Sequence, residues 1–166
     1  ENIKIPKSVK SIGENVFEWT KWYDNQPDGF VIISNILYDY KCKNKDRIIT
    51  IEIPDGVEII APNVFRFCKN LADVVIPNSV KTIGKDAFCG CYSLKNIVLP
   101  DSVTTIEKNA FSGCNNLSRL TIPSHLDICD AGFSENCEII LLPSKIATLE
   151  MTNELERAEN SESTTS

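Results

Sequence analysis

The sequence predicts an α/β repeat solenoid of 23-residue units, with short parallel strands on one face and single helical turns or irregular arcs on the other. Three observations carry that expectation. Pro54, Pro77, Pro100 and Pro123 recur every 23 residues, and Cys68, Cys91, Cys114 and Cys137 recur at the same interval. Between them, seven further columns of apolar residues keep the same phase. A unit of this length cannot bury its apolar side alone, so copies must stack on one another.

Each stretch of the unit has a physical assignment. Ile48, Leu71, Leu94 and Leu117 open it, and the alternation that follows predicts a short strand. Its inward residues are Ile51, Val74, Ile97 and Leu120, then Ile53, Ile76, Leu99 and Ile122. Proline lacks the N–H that pairing needs, so the strand ends there. An arc then turns Val57, Val80, Val103 and Leu126 inward, followed by Ile60, Ile83 and Ile106. The pieces "KDAFCGC" and "KNAFSGC" predict a helical turn that buries Ala87–Phe88 and Ala110–Phe111, with Val64–Phe65 in the same place one unit earlier.

The units at either end are less regular. "NIKIPKSVKSIGENVF" is in register through Ile3, Ile5, Pro6, Val9, Ile12, Val16 and Phe17. Pro6 and Pro54 are 48 residues apart, two periods plus two, so residues 18–47 read as an irregular coil carrying an aromatic hairpin insertion. "FVIISNILYDY" supplies two β-rich runs about Ser34–Asn35. In the last unit Cys129 stands where Ile106 predicts an aliphatic residue, and the Ala-Phe pair becomes "AGF". The repeat domain is therefore expected over 1–143. Residues 144–158, with Ile146, Leu149 and Leu155, read as a C-terminal helix that caps the last coil, and 159–166 as a disordered tail. Because the chain opens on a strand without a cap, it is read as a piece of a longer array.

The pattern C-x-x-L-x-x-I-x-I-P-x-S-V-x-x-I-G-x-x-A-F resembles the BspA-type leucine-rich repeat family over residues 2–17 and 48–143. The aromatic insertion between them is similar to one that family carries, with Cys42 in place of its glycine. The resemblance implies a leucine-rich repeat protein at the cell surface or secreted, as in bacterial and some protist members. It further implies a non-catalytic adhesion or protein–protein interaction module whose partner is a host or extracellular-matrix protein. A structural spacer within a larger surface protein, or an intracellular scaffold suited to free thiols, stays open.

Composition and motifs narrow the chemistry. A net charge of −6 and a pI near 4.9 disfavour nucleic acid and anionic lipid. No apolar run reaches the ~20 residues that span a bilayer, so no membrane insertion is expected. No signal peptide or anchor motif is visible, and the chain is expected to be monomeric. Seven cysteines is an odd number, so a complete disulfide framework is impossible. Cysteines in one slot of successive coils point in parallel, which suits neither a tetrahedral zinc site nor disulfide geometry. They are read as small packed hydrophobes, with Cys42 and Cys89 off the ladder and exposed. His125 is expected to be exposed and without a role. Catalytic motifs do not occur, so no catalytic residue, metal or cofactor is expected.

Binding is left to side chains that face outward. On the strand face these are Lys4, Glu52, Val75, Val98 and Thr121 in one row, and Thr50, Asp73, Asn96 and Arg119 in the next. In the insertion, Trp19, Trp22 and Tyr23, with Tyr38 and Tyr40, read either as a recognition patch or as cover for the broken coil. A face ~25–30 Å long falls short of the ~800 Å² per partner of a standard interface, which predicts weak binding by this chain alone.

Overall fold

The computed structural model describes residues 12–142, together with Ile3, Ile5, Pro6, Ser8 and Val9. The expected helix at 144–158 and tail at 159–166 lie outside the described residues, as does Lys4. In chain order the elements are α1 (Lys21–Asp24), β1 (Gly29–Ile33), β2 (Ile36–Lys41), a 3-10 turn (Lys45–Arg47), β3 (Thr50–Glu52), β4 (Ile59–Ile60), β5 (Asp73–Val75), β6 (Thr82–Ile83), β7 (Asn96–Val98), β8 (Thr105–Ile106), β9 (Arg119–Pro123) and β10 (Glu138–Leu142). They wind into a β-solenoid of about five coils spaced by about 23 residues.

Inward residues of each unit meet their copies one period away. Ile51, Val74, Ile97 and Leu120 are buried, and so are Val57, Val80, Val103 and Leu126. Phe65, Phe88, Phe111 and Phe133 stack as a column of rings, with centroid separations of 5.2, 5.2 and 4.8 Å. Phe133 joins that column although the unit around it departs from the repeat. The ladder cysteines Cys68, Cys91, Cys114 and Cys137 are buried beside it.

Two sides of the coil depart from the expected local structure. The arc after each proline is itself a short strand: β4, β6 and β8 pair in parallel and extend a sheet ordered β1-β2-β4-β6-β8. The insertion feeds that sheet, since β2 pairs antiparallel with β1 and parallel with β4 through Ile36↔Ile59 and Leu37↔Ile60. The Ala-Phe pieces, in turn, are chains of turns and not helical. Amides there serve the next coil, as in Phe65 N–H to Ala87 O (2.8 Å) and Phe88 N–H to Ala110 O (2.8 Å). An amide engaged between coils cannot also close an i→i−4 bond, so no α-helix forms. Asn63, Asp86 and Asn109 take left-handed backbone (φ 63, 55 and 59°) in this turn, a conformation Asn and Asp tolerate better than other residues.

Candidate functional site

The strands that end each Pro-terminated run build one face, the side that repeat solenoids make concave, and it is called the concave face below. β3, β5 and β7 share one burial pattern, with the middle residue buried and its two neighbours exposed. That places Thr50 beside Asp73 and Glu52 beside Val75 through the β3–β5 register. It also places Asn96 beside Arg119 and Val98 beside Thr121 through the β7–β9 register. The eight strand-face residues picked from the sequence therefore lie in two adjacent rows of one surface. Val75 and Val98 are 52% and 58% exposed, large values for valine in a sheet. Arg119 turns to the rim, where its Nε lies 3.3 Å from the Glu138 carboxylate.

The sheet on this face is not continuous. Between β3 and β5, Ala72 N–H reaches Ile49 O (2.8 Å) and Ile53 N–H reaches Val75 O (3.1 Å). Between β7 and β9, Ser118 N–H reaches Lys95 O (2.9 Å) and Leu99 N–H reaches Thr121 O (2.9 Å). Among the described residues no such bond joins β5 to β7, and the strands fall into separate sheets, β3-β5 and β10-β9-β7. The opening is confined to the concave side. Just before it Ser93 N–H still bonds Lys69 O (3.1 Å), and beyond it β6 pairs with β8.

A cleft of about 950 Å³ follows this seam, bounded by Asp73, Val75, Asn96, Val98, Asp101 and Leu142. Ser102 also lines it, and its Oγ is buried without a hydrogen-bond partner. One unit earlier the equivalent Ser79 Oγ accepts from Gly56 N–H at 3.1 Å. Asp101, Ser102 and Leu142 escaped the sequence reading because they lie beyond the alternating strand residues. A signal was present: the position after each proline is polar throughout, as Asp55, Asn78, Asp101 and Ser124.

The insertion residues are placed differently. Trp19 is 93% exposed, at a left-handed φ of 64°. Trp22 and Tyr23 are half-buried: Trp22 packs edge-on to Phe17 at 5.3 Å, and Tyr23 lies 6.1 Å from the buried Tyr38. Tyr40 bridges Phe30 (5.0 Å) and Phe65 (5.9 Å), joining the insertion to the ring column. The Tyr23 hydroxyl donates to the Asp39 carboxylate, and burial together with that carboxylate raises the phenol above its ordinary value. Lys41 Nζ donates to the carbonyls of Tyr23, Asp24 and Gln26 (3.0, 3.3 and 2.7 Å), which ties α1 to the hairpin. A polar hollow of about 670 Å³ lies alongside, but Lys41, Asp39 and the Glu14–Lys85 pair (3.1 Å) spend their hydrogen bonds on one another and on the backbone.

All seven cysteines are free thiols. Cys91 Sγ donates to Phe65 O (3.3 Å) and Cys114 Sγ to Phe88 O (3.2 Å), so two ladder thiols also tie neighbouring coils. Burial pushes the Cys68 thiol up to about 11. Cys42 and Cys89 are half-buried, not exposed as expected: Cys42 packs against the core, and burial raises the Cys89 thiol. Cys129 is the exposed one, because the irregular last unit does not close over it. His125 is exposed, but its Nε2 lies 3.1 Å from Val103 O and so bridges two coils. Among the described residues, no group of three or more His, Cys, Asp or Glu side chains is placed to hold a metal ion.

A family model described as BspA type leucine rich repeat region matches six copies, over residues 1–25 and 35–155. The unmatched interval contains β1. No curated protein matches the chain. Among solved structures, a leucine rich cell surface protein from Faecalibacterium prausnitzii is similar, with 24% identity and a TM-score of 0.50 over 89% of this chain. The leucine rich repeat protein of T. pallidum is 28% identical over 64% of this chain, with a TM-score of 0.48. The chain covers 34% of the first protein and 56% of the second.

Proposed function

The chain belongs to the BspA-type leucine-rich repeat family, and on that premise we propose that it is a non-catalytic protein–protein interaction or adhesion module that binds through its concave strand face. The observation that carries this reading is the cleft along the β5/β7 seam, where exposed Val75 and Val98 lie between polar rims. Exposed apolar side chains inside a polar-edged groove gain most from a partner that removes them from water. The insertion supports the same assignment by contrast, because most of its aromatic surface already packs on the solenoid. Cell-surface or secreted placement, and a host or extracellular-matrix protein as partner, follow from the family resemblance and form part of the proposal. Among the described residues no helix is long and apolar enough to cross a membrane.

The test is surface plasmon resonance of the 166-residue chain against a panel of immobilised serum and matrix proteins. It is run beside a concave variant, Val75→Asp with Val98→Asp, and a convex control, Lys108→Glu. The proposal expects each partner of the parent chain to be lost by the concave variant and kept by the control. Loss only in the convex control would sink it, and absence of any partner would favour the spacer reading.

A further inference from the structure

The cleft also has a sign. Besides the residues already named, it continues into a smaller hollow of about 460 Å³ between β3 and β5, lined in part by Glu52 and Asp55. Across the cleft and the hollow, the charged lining residues are Glu52, Asp55, Asp73 and Asp101, and every one is a carboxylate. Among the described residues of the strand rows the cation is Arg119, and its Nε lies 3.3 Å from the Glu138 carboxylate. Residue rows that look mixed in the sequence thus have acid around the cleft, while Arg119, beside Asn96 on the next strand, is paired with Glu138.

The floor is different from the rim. Val75, Val98 and Leu142 present apolar surface. At the seam the backbone of β5 and β7 is also without ladder partners: the amides of Lys95 and Ile76 and the carbonyls of Ala72 and Val98 have no bond between the two strands. Such groups are satisfied by water. The unpartnered Ser102 Oγ adds one more polar atom beside the seam.

We propose that the occupant of this cleft is an extended segment of a partner protein that alternates lysine or arginine with apolar residues. The apolar side chains lie against Val75, Val98 and Leu142, and the cationic heads reach Asp73 and Asp101. This rests on the concave-face reading and adds to it the chemistry of the partner. A compact anion or an acidic segment is disfavoured by the same four carboxylates. Attraction between exposed charges fades with salt, since the Debye length falls from about 10 Å at 0.1 M to about 3 Å at 1 M.

The experiment uses two synthetic twelve-residue peptides, one alternating lysine with valine and one alternating glutamate with valine. Each is titrated by fluorescence anisotropy against the full chain, against Asp73→Asn/Asp101→Asn, and against Val75→Ser/Val98→Ser. The proposal expects the lysine peptide alone to bind at low salt. It expects about tenfold weaker binding to the asparagine variant, on the order of what two exposed charge pairs supply, and a similar loss at 0.5 M salt. Equal affinity for both peptides, or no change in the asparagine variant, would overturn it. If the serine variant alone weakened binding, the concave face would stand and the cationic class would fall. If neither variant changed the affinity, the parent reading would fall with it.

Discussion

Phe88 is the place where the stacking of coils can be weighed most directly. Its ring is fully buried and lies between Phe65 and Phe111, 5.2 Å from each and within 19° and 6° of parallel. Phe88→Ala removes one large side chain and one ring from two stacked pairs, and turns of the backbone bonded to both neighbouring coils restrain collapse of the gap. Truncations of this kind cost about 3–5 kcal/mol. Phe133 occupies the same column at its end, half-buried, with one stacked neighbour at 4.8 Å. Half the transfer term plus one ring pair gives about 2 kcal/mol for Phe133→Ala. At a urea slope of about 2 kcal/mol per molar, the midpoints should fall by about 2 M for Phe88→Ala and about 1 M for Phe133→Ala. Circular dichroism across a urea series reads both. A midpoint shift for Phe88→Ala no larger than that for Phe133→Ala would refute the reasoning, because a nearest-neighbour stack must lose more from its middle than from its end.

Three other outcomes follow from the same packing. Gly84→Ala should be among the most damaging single substitutions, since a Cβ there would sit 2.7 Å from Ile60 O and 2.8 Å from Pro62 N; its melting temperature should fall well below that of Gly13→Ala, whose nearest contact is a side chain at 3.6 Å. Stability should decline as pH rises above about 9, because the unfolded chain ionises its thiols near their ordinary ~8.5 while buried Cys68 holds its proton to about 11; Cys68→Ala should flatten thermal melts between pH 9 and 11. Trp22→Ala should lower the melting temperature by several degrees through lost packing on Phe17, whereas Trp19→Ala should leave it unchanged in differential scanning calorimetry.

The solenoid was legible because its period is written in buried residues, and burial is what periodic apolar columns encode. Pro54, Pro77, Pro100 and Pro123 mark the strand ends, and Phe65, Phe88 and Phe111 stack as their column implies. The strands β4, β6 and β8 were less readable, since two residues are too few to show alternation. Helical turns at the Ala-Phe pieces were a reasonable local inference from composition, but the amides of Phe65 and Phe88 are claimed by the next coil. Nothing in the strand residues marks the β5/β7 seam, because Asp73–Val75 and Asn96–Val98 fit the same template as their neighbours. The cleft is a product of how two adjacent coils meet without ladder bonds, and so is the gathering of Asp73 and Asp101 about Val75 and Val98.

An amide map of the labelled chain tests most directly whether that seam is the binding face. In heteronuclear NMR spectra, the lysine–valine peptide carrying a nitroxide at one end should broaden the amides of residues 73–76, 96–99 and 101. The ring-column turns at 63–67 and 86–90 should keep their intensity. Broadening centred on those convex turns or on the insertion at 18–47, with 73–76, 96–99 and 101 untouched, would contradict it.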